Sequence, residues 1–174
     1  MRKTAAPTTA ATTAVPPDVQ ECVADWGSRD KSLPGGSHPQ LTGIRAGRHE
    51  CFDRLVFDLR DTGGGLDAGC RARYVDTLHQ LGSGSPVPVG GGAVLEVVVG
   101  APSYDVRTGG PTYDAEFGAP LPGVALGGHR TFRDARFAGG FEGETQIGLG
   151  VRARLPFRVF RTADHLVVDV AHTW

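Results

Sequence analysis

Residue type and spacing decide which chemistries this sequence could support. Serine hydrolysis needs a nucleophile elbow, G-x-S-x-G, which holds the hydroxyl on a tight strand-to-helix turn. None of Ser28, Ser32, Ser37, Ser83, Ser85 and Ser103 sits in that pattern. A cysteine nucleophile needs a histidine and an orienting group. Cys51 lies two residues from His49, a spacing that a single strand face produces by simple alternation. Gly90-Gly91-Gly92 precedes a strand-like run and lacks the following Lys-Ser/Thr, so it reads as a turn rather than a phosphate loop. His49 and Asp53 are four apart, as are His165 and Asp169. On a strand that separates them by about 13 Å, too far to chelate one ion. The strand carboxylates Asp53, Asp58, Asp134 and Asp169 mostly lie close to Arg or His, which favours ion pairing over a glycosidase-type dyad. The expectation is a protein with no catalytic site, no metal and no cofactor.

Binding chemistry survives. Arg48-His49, with Phe52 and Arg54, form one cluster of guanidinium and ring groups. Phe132-Arg133-Asp134-Ala135-Arg136-Phe137 form another. Strict alternation would put Phe132 and Arg136 on one face, Arg133 and Phe137 on the other. Guanidinium forks suit carboxylates, and rings give platforms for sugar or peptide faces. Arg48, His49, Arg54, Arg133 and Arg136 are therefore the expected carboxylate contacts, with Tyr104 and Tyr113 as stacking platforms. The bland alternative is a sheet with one face in the core and one in water.

These side chains must be held by strands. Asp53-Arg54-Leu55-Val56-Phe57-Asp58-Leu59 recurs as Asp164-His165-Leu166-Val167-Val168-Asp169-Val170. In each copy alternate residues are apolar, the period of a strand with one buried face. Further strand signals run at about 44–49, 52–59, 70–78, 93–101, 131–138, 145–152, 157–161 and 165–172, separated by Gly- and Pro-rich turns. About eight mainly antiparallel strands with internal pseudo-symmetry predict an all-β fold, a single β-sandwich. Residues 102–128 carry Tyr104, Tyr113 and Phe117 among prolines and glycines. A loop of that length either packs onto the sandwich or contacts a ligand.

The chain of 174 residues has room for one domain and a tail. A net charge of -1 gives no electrostatic footprint for nucleic acid, and no apolar run is long enough for a membrane-spanning helix. The Ala/Thr/Pro-rich opening, residues 1–21, is expected to be a disordered tail. Its composition fits the spacer behind a removed signal or lipid-anchoring segment. Residues 22–40 read as a short polar segment and Pro/Gly linker, and 41–174 as the folded domain. In an oxidising compartment Cys22, Cys51 and Cys70 predict one bridge and one thiol. A Cys22–Cys51 bridge would tie the domain's start to its first core strand and stabilise it by roughly 3–4 kcal/mol. The alternative is three reduced cysteines.

Arg45-Ala46-Gly47-Arg48-His49 with Phe52 to Asp58 resembles the opening of the AMIN-like domain of secreted actinobacterial proteins and lipoproteins. So do Tyr74-Val75-Asp76, Gly82-Ser83-Gly84 and Pro88 to Ala93, then Thr131 to Phe137 and Gly148 to Arg152. Leu155 to Phe160 and Val168 to His172 close the pattern, and Cys22 with Trp26-Gly27-Ser28 precedes it. The resemblance spans about residues 22–174. It implies a β-sandwich related to the AMIN domains of cell-wall amidases, which act in localisation and peptidoglycan binding. It brings no catalytic residues, and it leaves Cys70 outside the motif blocks as the remaining thiol. The expected function is a non-catalytic, extracytoplasmic cell-envelope module, at the cell surface or secreted, that binds peptidoglycan or another wall polymer. The other reading is an extracytoplasmic protein–protein interaction domain that docks an envelope protein.

Overall fold

The two matched heptads lie side by side. The first forms most of β3 (Phe52–Arg60) and the second most of β11 (His165–Ala171), paired antiparallel with Val56 opposite Val167. That register relates the copies by a local two-fold, so Arg54 faces Asp169 and Asp58 faces His165. With β2 (Gln40–Arg48) beside β3 and β10 (Phe157–Arg161) beside β11, they make a four-stranded sheet in the order β10-β11-β3-β2. The computed structural model describes Cys22 and residues 24–174; the tail expected over residues 1–21 lies outside them.

A five-stranded sheet packs on the apolar side of this one. Its order is β1-β4-β7-β9-β8, from β1 (Lys31–Leu33), β4 (Cys70–Val75), β7 (Ala93–Val99), β8 (Phe132–Phe141) and β9 (Glu144–Val151). Leu55, Phe57, Leu166 and Val168 from one sheet share a single buried cluster with Leu95, Val97, Ile147 and Leu149 from the other. All named pairings are antiparallel, so the expected all-β sandwich with its internal repeat is the observed one. Two differences concern the strands. Lys31–Leu33, within the expected linker, is an edge strand on β4. The expected strand over 70–78 breaks after Val75, and Leu78–His79 (β5) instead pairs with Pro86–Val87 (β6) in a small hairpin.

That hairpin and the loop after it cover the outer face of the five-stranded sheet over β9 and β8. Leu78, Val87 and Ala138 form a second buried cluster there. Gly148 and Gly150 permit the approach: a Cβ on Gly150 would lie 1.8 Å from the Gly90 carbonyl oxygen. The segment 102–128 closes one side of the sandwich. Its residues 118–121 bond to the free edge of β8, and Pro102 and Thr112 bond to Leu41 of β2. A covered edge cannot recruit foreign strands. Tyr113 and Leu121 of this segment are buried in the main core.

Strand β8 corrects one expected face. Register shifts after Phe132 and after Phe137 mark bulges, each inserting one extra residue. The first bulge changes the phase of alternation, so Phe132, Ala135 and Phe137 all enter the core. Arg133 and Arg136 are both left outside it. The bridge Cys22–Cys51 is formed, and Cys70 is a buried thiol whose pKa burial pushes up to about 12.

Two outcomes test this packing. Gly150→Ala should destabilise the fold by about 1–3 kcal/mol in denaturant unfolding, because the 88–92 loop must move to admit a methyl group. Iodoacetamide at pH 8 should leave the folded protein unmodified, label Cys70 alone in denaturant, and label three cysteines after reduction, as read by intact mass.

Candidate functional site

Among the described residues no second sheet covers the outer face of the four-stranded sheet; the Trp26 segment lies over one end, and arginine and aromatic side chains cover β11, whose outward Val167 is 3% exposed. One rung crosses the whole sheet: Arg158 on β10, Asp169 on β11, Arg54 on β3 and Gly47 on β2. The Asp169 side chain is fully buried, at 0% exposure. A carboxylate so desolvated must be paired and hydrogen-bonded. Arg54 supplies a two-pronged contact, donating from Nε to Oδ1 at 2.7 Å and from Nη2 to Oδ2 at 2.9 Å. Arg158 donates from Nε to Oδ2 at 2.8 Å. Two guanidinium groups share one carboxylate, so the rung carries one uncompensated positive charge.

Rings surround that charge. The Arg54 guanidinium lies 5.2 Å from the Phe52 ring centre and 5.4 Å from that of Phe160. Arg158 lies 5.4 Å and 5.1 Å from the same two rings and 4.3 Å from Trp26. These are cation–π distances. His49 stacks on Phe52 at 4.5 Å, and Trp26 meets Phe52 edge-on at 5.8 Å. Trp26 is not on a strand; the Cys22–Cys51 bridge ties its segment to the residue just before Phe52.

The far end of the same face is balanced differently. Asp58 accepts hydrogen bonds from Arg45 Nε at 2.9 Å and Nη2 at 2.8 Å, and lies 3.0 Å from His165 Nε2. The Arg45 hydrogen bond holds the Asp58 carboxyl below its usual pKa. This is the cross-strand pairing expected of the strand carboxylates. Asp134 likewise pairs with Arg136, and the Gly90 N–H and Arg136 hold its pKa down against the opposing effect of burial. Asp53 is different. Its side chain points inward, and its Oδ2 accepts from the backbone N–H groups of Thr131 at 2.7 Å and Phe132 at 3.0 Å. It anchors the start of β8 to β3 rather than pairing with an arginine. Beside it His172 Nε2 lies 3.0 Å from the His49 carbonyl oxygen, and Nδ1 lies 2.8 Å from Thr131 Oγ1. A carbonyl only accepts, so Nε2 carries the proton.

The sequence-predicted residues divide into three places. Arg54 and His49 belong to the arginine–ring face, and Arg48 lies at the adjoining sheet end, where it passes over Gly128. Arg133 is exposed near that end, donating to the carbonyl oxygens of His129 and Phe132, and Arg130 donates to that of Glu50. None of Arg48, Arg130 and Arg133 has a carboxylate partner among the described residues. Arg136 lies apart, over the Gly90 and Gly118 loops. Tyr104 is at the opposite end of the sandwich, bridged to Pro111. Tyr113 is 7% exposed and its hydroxyl donates to the Pro122 carbonyl oxygen, so its ring has no free face for stacking. Arg158, Trp26 and Phe160 are the contributors that sequence reasoning missed. The alternation Phe157-Arg158-Val159-Phe160 marked Arg158 as outward, but nothing local showed that Asp169 would join it to Arg54.

The AMIN-like domain model matches residues 39–172, three quarters of the chain. The chain belongs to the AMIN-like domain family. No curated protein and no solved structure matches it. Membership points to a cell-envelope, peptidoglycan-associated module, and together with the disulfide to an extracytoplasmic location. No described helix is long and apolar enough to cross a membrane. Within this AMIN-like domain the matched span contains Arg54, Arg158 and Asp169, while Trp26 lies before it.

Asp169→Asn should cost about 2–3 kcal/mol in chemical unfolding, because two arginines would lose their counter-ion on a partly buried face. The figure lies below that of a fully buried pair, since both guanidinium groups reach water. Arg45→Gln, which affects only the balanced end, should cost under about 1 kcal/mol in the same assay.

Proposed function

We propose that this AMIN-like domain is a non-catalytic module that attaches its chain to the cell wall by binding peptidoglycan or another wall polymer. The observation that carries the reading is the outer face of the four-stranded sheet, which no second sheet covers, with its surplus arginine charge set among aromatic rings. The protein's own hairpin occupies part of the other outer face, and where that face is open, over β1 and β4, its Arg71 and Arg73 are already paired with Glu144 and Glu96. A polymer with anionic groups and sugar rings complements such a face, since cations attract its charge and rings accept its C–H faces. Arg54 and His49 supply contacts at the centre, and Arg48 and Arg133 extend the positive region at the adjoining end. Arg136 and Tyr104 are outlying contacts in this reading, too far around the sandwich to share one short ligand segment with Arg54.

Co-sedimentation of the pure domain with purified sacculi tests the proposal. Pelleting should be saturable and should weaken across a salt series from low ionic strength, as screened charge contacts do. Replacing Arg48 and Arg133 together with Ala should weaken pelleting several-fold without lowering the thermal midpoint, because neither residue has a carboxylate partner to lose. Absence of pelleting at low salt would overturn the wall-polymer reading in favour of docking to an envelope protein.

A further inference from the structure

We infer that the Arg54–Asp169–Arg158 rung is a subsite for a single carboxylate carried on a sugar ring, with the sugar lying against Trp26. The inference rests on the wall-polymer reading and names the chemical group that reading leaves open.

The argument starts from donors. A guanidinium has five N–H groups. Arg54 commits Nε and Nη2 to Asp169, and Arg158 commits only Nε. Among the described residues Arg54 Nη1 and both Nη atoms of Arg158 have no protein acceptor. Those remaining donors belong to two planar forks fixed by one buried carboxylate. Their geometry is set before any ligand arrives, which reduces the ordering cost of binding.

Charge fixes the ligand's valence. The rung is +1, so one monoanion neutralises it, whereas a dianionic phosphomonoester would leave the rung itself negative. Desolvation strengthens the attraction. Arg54 and Arg158 are 27% and 39% exposed at the side chain, and the flanking Phe52 and Phe160 rings replace water on their faces. A charge with less water around it interacts more strongly with an incoming ion.

Shape fixes the body that carries the carboxylate. The Arg158 guanidinium lies over the Trp26 ring, 4.3 Å from its centre, and Trp26 is half-buried, so a ligand that extends past the Arg158 fork meets the exposed part of the indole. On the other flank Gly47 completes the rung without a side chain and leaves room beside Arg54; a Cβ there would meet nothing nearer than His49 Nε2 at 3.7 Å. A carboxylate flanked by a ring platform and an open glycine fits an acidic sugar inside a chain. The Cys22–Cys51 bridge, together with the hydrogen bond from the Phe157 N–H to the Gly27 carbonyl oxygen, ties the segment that carries Trp26 to the sheet.

The test is an NMR titration of the intact, oxidised chain with two monosaccharides that differ by one lactyl carboxylate, N-acetylmuramic acid and N-acetylglucosamine. The Trp26 indole N–H and the Arg54 and Arg158 Nε–H signals are followed, with Trp174→Phe used to assign the indole. Saturable shifts with the acidic sugar, at least ten-fold weaker with the neutral one, are expected. Arg158→Lys keeps the charge on Asp169 but removes the fork, and should weaken the acidic sugar's binding about ten-fold. Trp26→Ala lies outside the strands and should weaken it several-fold with the fold intact. Equal shifts from the two sugars, or unchanged affinity in both variants, would overturn the inference. So would inorganic phosphate shifting the same signals at the same concentrations. Sacculus pelleting separates the two claims. Pelleting that persists unchanged in Arg158→Lys, without selective acidic-sugar shifts, leaves the wall reading standing and removes this subsite. Selective shifts without pelleting retain the subsite and remove the wall reading.

Discussion

The pairing of β3 with β11 is the constraint on which the rest of the structure depends. It joins segments 115 residues apart in sequence, as the Arg54–Asp169 contact shows, and it places both at the centre of their sheet. Its register is fixed from two sides. Inward, Leu55 and Phe57 must meet Leu166 and Val168 in the core. Outward, Asp169 is fully buried and tolerates only a register that brings arginines to it. A slip of one residue would turn Asp169 toward the core and take it away from Arg54 and Arg158, a double penalty. The local two-fold repeats the device, since His165 and Asp58 form the corresponding pair at the other end of the same strands. Contacts so distant in sequence slow folding, because the intervening chain must close into a loop before they form.

Everything outside the four-stranded sheet can be understood from what that pairing leaves to cover. The five-stranded sheet buries the apolar side. Its own outer face would be exposed, and the glycine positions on β9 let the 76–92 segment lie flat against it. The 102–128 segment closes one side of the sandwich by bonding to β2 and β8, and β1 with the residues before it lies along the other. The irregular chain therefore covers edges and part of one face, where the rest is closed by the Arg71–Glu144 and Arg73–Glu96 pairs, and leaves the arginine–ring face without a second sheet. The bridge to Cys51 belongs to this arrangement, and it adds to the hydrogen bonds from Phe157 and Arg154 that hold the Trp26 segment against the open face.

Much of this was legible in the sequence for one physical reason: period-two alternation survives wherever a strand is regular. The repeated heptads, the all-β class and the turn positions follow from it. The outward placement of Arg54 follows from the position of Leu55 and Phe57. Where the alternation is interrupted the reading goes astray. In β8 one inserted residue reverses the phase, so Phe132 and Phe137, read as opposed, are both in the core. Tyr113 was weighed as a stacking platform because it stands among prolines and glycines; its burial comes from the core's open side, which only the assembled sheets define. Arg158 carried a local signal but no indication of its partner. Composition identifies candidate arginines, and only the register shows which of them share a counter-ion.

The open face poses a problem that its own chemistry resolves. Phe52, Phe160, Trp26, Val56 and Val167 would together form an exposed apolar patch of the kind that drives association. Covering them with a chain segment would remove the face from use. Instead the guanidinium groups of Arg54 and Arg158 lie over the rings, so charge shields apolar surface while the rings desolvate charge. One carboxylate holds both arginines in that position, and a second would neutralise the rung. Two cations to one anion therefore leave a net positive charge on a surface whose rings are shielded from water. A sandwich that served only as a spacer would gain nothing from leaving that charge unbalanced at the centre of its most strongly specified sheet.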